Sequence, residues 1–295
     1  MSLTPRSVSY DLDRPLQVRL KHVSGRVSIT TSQSASCRVV LTAQTAAGQK
    51  LVDAAVIRFD AKAPVADLEL KVGRSHAGNT TEMRVLWGAM RFPSTAANSA
   101  VDIALEVPDG TLLELKTVSG EVDCSVVSLG RLDYSSVSGD LTCASVGGSA
   151  QLKSVSGALV IQAVNGSLQA KTVSGSVRTG AVHGSIDIES VSGSVSSCIA
   201  VPAAVSAKTL SGDMVISVVP DLPVTVDAKS VSGKLRSTIA LEVQPEPEFR
   251  SVLGGAVMWQ ASPDLDDAPL PSDRVVAITA KSVSGDILIQ TLPSA

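Results

Sequence analysis

Apolar and polar residues alternate along most of this chain, in short segments interrupted by a Ser-Gly step. In residues 152–161, LKSVSGALVI, apolar positions lie two apart on both sides of Gly157. This period is typical of β-strands, because successive side chains of a strand point to opposite faces. The pattern predicts a strand on each side of every turn, with these inward pairs before the turn: Leu113 and Leu115, Leu132 and Tyr134, Ala150 and Leu152, Leu168 and Ala170, Ile186 and Ile188, Val205 and Ala207, Val226 and Ala228, and Ile278 and Ala280.

One copy of the pattern, residues 168–175, shows the phase that we predict for all of them. Leu168, Ala170 and Val173 are assigned to the core, and Gln169 and Lys171 to solvent. Small and large inward residues alternate, as a narrow core between two walls requires.

The turns recur at nearly constant spacing, with Leu-Ser-Gly at Gly212 and Val-Ser-Gly at Gly25, Gly120, Gly139, Gly157, Gly175, Gly193, Gly233 and Gly285. Between Gly120 and Gly233 the copies are 18 to 21 residues apart, and weaker turns at Gly130, Gly148, Gly166 and Gly184 halve that period. A unit this short cannot bury its own apolar face, so copies must stack on one another. We therefore predict an all-β fold: a β-solenoid of about 18-residue coils with a β-rich N-terminal region.

Departures from the repeat divide the chain into four parts. Residues 1–108 hold one repeat-like segment at 16–29 and alternating segments at 37–45, 52–60, 65–73, 83–87 and 100–107. We interpret them as a β-rich N-terminal region that also caps the solenoid, because a bare end would expose unpaired strand edges. The other parts are the repeat solenoid at 109–241, an insertion at 242–274 and a final solenoid coil at 275–295.

The insertion combines several prolines and carboxylates with an apolar stretch that contains Phe249, Met258 and Trp259. Loops of this length are uncommon without a role. Two interpretations stay open: the segment covers the last coil as a cap, or it contacts a partner protein or a second copy. In the second case Phe249, Met258 and Trp259 are the candidate contact residues.

Composition narrows the classes of partner. The net charge is −3, which argues against nucleic-acid binding, since that function usually requires a basic excess. No run of 18 apolar residues exists, so we expect no transmembrane segment. The first residues lack the apolar stretch of a signal peptide. We expect a cytoplasmic protein if Met1 is the native start, and an envelope-associated one, through a partner or a trimmed anchor, if it is not.

The residue types used in catalysis and metal binding are scattered. The four cysteines lack metal-ligand spacing, and Cys124 and Cys143 occupy equivalent positions in consecutive copies, as two buried thiols or as a disulfide. His183 fills a variable turn position. The residues after the turn glycines carry mixed charge, which does not suit a calcium ladder. We therefore expect no catalytic residue, no metal and no cofactor.

The most regular polar feature is a set of lysines two residues before the turn Val or Leu. Alternation points them outward as a stripe along one face, with acidic or polar residues two positions earlier. They serve to keep a flat β-face soluble, or they form a weak site for anionic polymers or lipid headgroups. The candidate anion-binding residues are Lys116, Lys153, Lys171, Lys208, Lys229 and Lys281.

Residues 100–123, AVDIALEVPDGTLLELKTVSGEVD, with the serial Val-Ser-Gly copies that follow, resemble the bacterial putative-adhesin family of β-strand-repeat domains, also called toastrack domains. The resemblance covers roughly residues 8–240 and 277–290. It implies a noncatalytic β-repeat domain of unknown function, of a kind found on envelope-associated proteins linked to membrane stress or adhesion.

Together these observations predict a noncatalytic interaction or scaffold module, adhesin-like or associated with envelope stress, which binds a protein partner or itself. Two alternatives belong to other classes. A structural protein would polymerise end to end through its coils. A carbohydrate-active enzyme would use the solenoid face, but would need clustered carboxylates there.

Overall fold

A computed structural model describes residues 3–62, 64–73, 80–85, 88–93, 100–220, 222–239, 242–243, 257–262 and 275–292. The chain divides into two compact units, Met1–Ile161 and Gln162–Ala295. Unit 1 contains helix α1 (Ala46–Asp53) and the strands β1 (Arg6–Asp11), β2 (Leu16–Lys21), β3 (Val27–Thr31), β4 (Ser36–Ala43), β5 (Val56–Asp60), β6 (Ala66–Lys71), β7 (Thr80–Val85), β8 (Gly88–Pro93), β9 (Val101–Val107), β10 (Leu112–Ser119), β11 (Val122–Leu129), β12 (Arg131–Ser138), β13 (Leu141–Val146), β14 (Ala150–Ser156) and β15 (Leu159–Val164), the last of which reaches the boundary. Unit 2 contains β16 (Leu168–Ser174), β17 (Val177–Val182), β18 (Ile186–Ser192), β19 (Val195–Ile199), β20 (Ala204–Ser211), β21 (Met214–Val218), β22 (Val224–Ser232), β23 (Leu235–Ser237), β24 (Glu242–Val243), β25 (Val257–Ser262), β26 (Val276–Ser284) and β27 (Ile287–Thr291).

Each unit is a β-solenoid built from two sheets. We call the sheet of strands that precede the Ser-Gly turns the pre-turn sheet, and the sheet of strands that follow them the post-turn sheet. In unit 1 the strand orders are β5-β6-β2-β10-β12-β14 and β1-β4-β9-β3-β11-β13-β15. The repeats pair in parallel, as β10 does with β12 and β11 with β13, so one repeat forms one coil. The predicted all-β solenoid is confirmed.

The N-terminal region continues this stacking and then covers it. Strands β2 and β3 lie parallel to β10 and β11, so residues 16–31 form a coil of their own. Strand β6 extends the pre-turn sheet, and β5 then pairs with it antiparallel. On the post-turn side β4 pairs antiparallel with β9. Antiparallel strands thus cover the parallel coils of this unit.

Unit 2 stacks its copies out of chain order. Its pre-turn sheet runs β16-β18-β20-β26-β22-β25-β24, and its post-turn sheet runs β17-β19-β21-β27-β23. The coil of β26 and β27, last in sequence, therefore lies between the coil of β20 and β21 and the coil of β22 and β23. Strand β25 of the insertion pairs antiparallel with β22 and covers the edge that β22 would otherwise expose.

The predicted inward pairs are buried in every copy, including Leu168 and Ala170 at 1% and 0% exposure. The prediction for Val173 is wrong: Thr172 is buried at 0%, and Val173 lies half-buried on the outer face. Strand alternation continues up to the turn, so Thr172 is inward and both Lys171 and Val173 are outward. The valines of the other Val-Ser-Gly steps follow the same rule, except Val23 of the first step, which is buried at 7% exposure.

A column of buried hydroxyl residues results on the inner side of the turns. In unit 2 the register aligns Thr172 with Ser190, Ser190 with Thr209, Thr209 with Ser282 and Ser282 with Ser230. Unit 1 has Thr117, Ser136 and Ser154 in the same position. The hydroxyl oxygens of Ser136, Thr172, Ser190, Thr209 and Ser282 have no hydrogen-bond partner among the residues described.

Turn glycines form a second column, in which backbones approach too closely for a side chain. A Cβ on Gly120 would collide with the carbonyl oxygen of Gly25, and one on Gly193 with that of Gly175. Gly120 also has φ +140°, which side-chain-bearing residues rarely adopt. The steric constraint also holds at Gly139 and Gly233, whose φ is not among the positive ones, so close backbone approach explains the glycine there.

The N-terminal region departs from the predicted segments at three places: strands β1 and β8 lie outside them, and the third place is the start of the segment 52–60. The segment 52–60 was assigned as a strand, but helix α1 occupies Ala46–Asp53 and strand β5 begins at Val56. The Thr45 side chain caps the helix by accepting a hydrogen bond from the Gly48 amide at 3.0 Å. Leu51 and Val52 bury the apolar side of the helix.

Alanine at Gly120 should destabilise the fold by at least about 2 kcal/mol, because it adds backbone strain and a steric clash. The matched control is Gly147→Ala, where the new Cβ meets only the Leu129 carbonyl oxygen at 3.6 Å. We expect the control to be neutral or slightly stabilising. Urea unfolding of both variants measures this, and equal losses of stability would contradict the glycine-column explanation.

Two isosteric substitutions of threonine by valine should change the stability of the protein in opposite directions. Thr172→Val removes a buried hydroxyl that has no partner, so we expect stabilisation of about 1 kcal/mol. Thr179→Val removes the donor of a buried 2.8 Å hydrogen bond to Ser197 Oγ, so we expect destabilisation of about 1 to 2 kcal/mol. Thermal unfolding gives both shifts. A loss of stability in Thr172→Val as large as that in Thr179→Val would contradict the assignment.

Candidate functional site

The candidate site is the outer face of the pre-turn sheet, where strand alternation places the predicted lysines. In unit 1 the parallel registers put one row of outward residues on β6, β2, β10, β12 and β14, namely Lys71, Lys21, Lys116, Ser135 and Lys153. In unit 2 the corresponding row, on β16, β18, β20, β26 and β22, is Lys171, Glu189, Lys208, Lys281 and Lys229. All six predicted lysines therefore lie in these two rows, and Lys71 is an addition from the structure.

Acidic side chains neutralise much of the row in unit 1. Lys116 donates to Glu114 at 2.7 Å, and Lys71 forms an ion pair with Glu69 at 2.6 Å. The hydrogen bond from Lys71 lowers the pKa of the Glu69 carboxyl, although burial opposes the shift. Arg19 pairs with Asp67 beside this row. Lys21 and Lys153 have no acidic partner within 4.0 Å among the described residues, so the unpaired positive charge of this row lies on two lysines that are separated by two strands.

A shallow depression of about 320 Å³ lies in the unit 1 row, where the short side chain of Ser135 separates two lysines. Both signs of charge surround it, so it offers a small ligand no dominant electrostatic attraction. Its lining residues are Glu114, Lys116, Asp133, Tyr134, Ser135, Gln151 and Lys153.

The unit 2 row carries more concentrated positive charge. Lys171 Nζ donates to Glu189 at 2.7 Å, which neutralises the start of the row. Lys208, Lys281 and Lys229 follow on three adjacent strands, about 4.8 Å apart. We call these three residues the lysine triad. Only Lys229 has a described acidic neighbour within 4.0 Å, Asp227 at 3.9 Å.

The coil order decides which lysine lies in the middle of the triad. Stacking in chain order would place Lys229 beside Lys208 and Lys281 on the outer side. Because β26 inserts between β20 and β22, Lys281 is the central cation and Lys229 the outer one. The sequence placed these residues on one face but did not reveal their order.

A row of aliphatic side chains lies beside the lysines in unit 2, and the sequence analysis did not predict it. These side chains belong to the Val or Leu of each Ser-Gly step: Val173, Val191, Leu210, Val283 and Val231. Leu210, Val283 and Val231 are 54%, 46% and 56% exposed, and we call them the aliphatic triad. The sequence could have predicted this row, because each of its residues lies two positions after a residue of the lysine row, and residues two apart share one face of a strand.

The buried titratable groups lack the features of reactive residues. Burial raises the pKa of the Cys143 thiol to about 12 and raises that of Cys124 as well. Both thiols are unbridged register neighbours on β11 and β13, and they stay protonated near neutral pH. Burial also lowers the pKa of His22, whose Nε2 lies 2.8 Å from the Val101 carbonyl oxygen.

The described ranges contain no cluster of three or more histidine, cysteine, aspartate or glutamate residues suited to a metal ion. Within the same ranges no helix combines the length and apolarity needed to cross a membrane.

The predicted contact residues of the insertion are only partly placed. Backbone pairing aligns Trp259 with Ala228 and Met258 with Lys229, so both residues belong to the strand that covers β22. Phe249 lies outside the described residues. Their role as partner contacts stays a prediction.

Comparison of the sequence with known families gives one match, to the model described as Toastrack DUF4097, over residues 67–251. This match spans more than half of the chain. The chain belongs to the toastrack DUF4097 family. The resemblance seen in the repeats is thereby confirmed, and the toastrack chain is a β-repeat module. No curated protein matches it.

Solved structures with low sequence identity also align with this toastrack chain. One is a putative adhesin from Bacteroides fragilis, with 12% identity, a TM-score of 0.46 and coverage of 98% of this chain and 97% of that one. A putative lipid binding protein from Parabacteroides distasonis aligns with 12% identity, a TM-score of 0.39 and coverage of 98% and 97%. A putative adhesin from the same species aligns with 8% identity, a TM-score of 0.31 and the same coverage. These scores are too low to carry an argument about function.

Charge reversal at Glu189 tests the electrostatics of the unit 2 row. Glu189→Lys would place five lysines on adjacent strands, so we expect destabilisation of about 1 kcal/mol at low salt, decreasing as salt screens the repulsion. Glu189→Gln, which only removes the partly exposed ion pair, should cost less. Urea unfolding at low and high salt measures both. Equal destabilisation of Glu189→Lys at both salt concentrations would contradict the expectation.

Proposed function

We propose that this protein is a noncatalytic interaction module of the adhesin-like type, and that the lysine face of unit 2 is its contact surface for anionic ligands. The observation that supports the proposal is the lysine triad, three cations aligned on adjacent strands with one carboxylate within 4.0 Å among the described residues. Such a row attracts a ligand with regularly spaced negative charges. The rigid parallel sheet keeps the three ammonium groups within reach of one ligand.

The described face offers little support for the enzymatic alternative. In unit 2 its carboxylates are Asp187, Glu189 and Asp227, and Glu189 is already paired with Lys171 at 2.7 Å. A glycosidase needs two carboxyl groups that flank one bond, one of them with a raised pKa. The face is dominated instead by lysine and aliphatic side chains.

End-to-end polymerisation is also less well supported than ligand contact. In unit 1 the pre-turn sheet ends in the antiparallel strand β5, and in unit 2 the strand β25 covers β22. Antiparallel covering strands do not continue the parallel ladder that a further coil would need. These contacts favour the interpretation of the insertion as a cap.

Inorganic polyphosphate is a suitable probe, because it provides dense negative charge without an apolar part. We expect the protein to bind it with an affinity that decreases with salt and is lost by about 0.5 M salt. Substitution of Lys208, Lys281 and Lys229 by glutamine should weaken binding at least about tenfold. Titration calorimetry at several salt concentrations gives the affinities.

The control for this experiment changes net charge equally at three exposed residues outside the row, Lys50, Lys62 and Arg178. Their replacement by glutamine should leave most of the affinity intact. Equal weakening in the two triple variants would show that only net charge matters. Binding that does not change with salt would exclude the electrostatic explanation.

A further inference from the structure

The two triads form adjacent rows on the same three strands of unit 2. The buried register pairs Thr209 with Ser282 and Ser282 with Ser230 fix the alignment of β20, β26 and β22. One residue before these hydroxyl residues lies the lysine triad, and one residue after them lies the aliphatic triad, both on the outer face. The rows are each about 10 Å long and about 7 Å apart, from strand spacing and rise per residue.

The aliphatic triad is an exposed apolar feature that strand packing does not explain. Leu210, Val283 and Val231 are about half exposed, although the buried position just before each of them holds only a serine or a threonine. Single exposed valines, such as Val126 in unit 1, need no explanation. Three aligned ones beside three cations indicate a surface that contacts something both apolar and anionic.

Charge complementarity identifies the class of ligand. A soluble polyanion satisfies the lysine row but leaves the aliphatic row in water. An anionic lipid bilayer satisfies both, because its phosphate groups lie at the level of its polar surface and its acyl chains lie directly below. The long lysine stems let the ammonium groups stay among headgroups while the shorter aliphatic side chains point toward the acyl boundary.

We infer that the Lys208–Lys281–Lys229 row and the Leu210–Val283–Val231 row together form a docking surface for an anionic lipid bilayer. The role of the lysine row in this inference rests on the proposed function. The aliphatic row adds the class of ligand, a lipid bilayer. Because the sheet face is continuous across the three strands, both rows contact one membrane surface at the same time. The expected attachment is peripheral and reversible.

Vesicle binding by the full chain tests this inference. The probes are vesicles of phosphatidylglycerol and phosphatidylcholine in equal parts, vesicles of phosphatidylcholine alone, and soluble polyphosphate. We expect binding to the anionic vesicles and not to the neutral ones. The triple variant Leu210→Thr, Val283→Thr and Val231→Thr, which retains strand propensity, should lose at least about tenfold of its vesicle partitioning while its affinity for polyphosphate stays unchanged.

The lysine variants measure how much electrostatic attraction contributes to vesicle binding. One surface lysine contributes about fivefold to partitioning on an anionic membrane, so replacement of the lysine triad by glutamine should reduce it about 100-fold. Val126→Thr is the matched control for an exposed valine elsewhere and should bind vesicles as the parent protein does. Circular dichroism verifies the fold, and the three single threonine variants replace the triple variant if it does not fold.

The outcomes separate the inference from the proposed function. Unchanged vesicle binding by the aliphatic variants would overturn the inference, and binding to polyphosphate without binding to anionic vesicles would overturn it as well. In both cases the lysine row would keep its proposed role. Binding to neither probe would overturn both. Vesicle binding that requires both rows, with polyphosphate binding that requires only the lysines, would support both.

Discussion

The close approach of successive backbones at the turn glycines constrains the rest of this structure. The carbonyl oxygen of one turn glycine occupies the space where a Cβ of the next would lie, as with Gly25 and Gly120. Parallel ladders on both sides of the turn can then pair in one register, since a shift by one residue would turn every inward side chain outward. Burial of Leu168 and Ala170, and outward placement of Lys171, follow from that register.

Coils with the same register can stack on one another in any order, and in unit 2 they stack out of chain order. Strand β26 carries the inward pair Ile278 and Ala280, which matches Val205 and Ala207 of β20 as well as Val226 and Ala228 of β22. It therefore fits between these two strands although it follows both in sequence. Strand β25 then pairs with the outer edge of β22. The surface consequence is that Lys281 lies between Lys208 and Lys229.

The sequence was sufficient for the strands of the repeats, the coil period and the outward lysines, because each depends on a local pattern of alternation and glycine. It was misleading at Val173, where apolar character suggested burial and alternation alone gave the correct face. Helix α1 escaped detection because eight residues give too short a periodic signal, and its cap, Thr45, acts through one hydrogen bond. The coil order depends on long-range pairing of equivalent strands, so no local pattern distinguishes β20–β26 from β20–β22.

That coil order is the central claim, because it decides which residue lies in the middle of each triad and leaves β22 as the strand that pairs with β25. Cross-strand nuclear Overhauser effects between backbone protons test it most directly in the deuterated, amide-protonated protein. The structure predicts effects that connect the segment around Lys208 with that around Lys281, and the segment around Lys281 with that around Lys229. Direct cross-strand effects between the segments around Lys208 and Lys229, with none between those around Lys208 and Lys281, would contradict it.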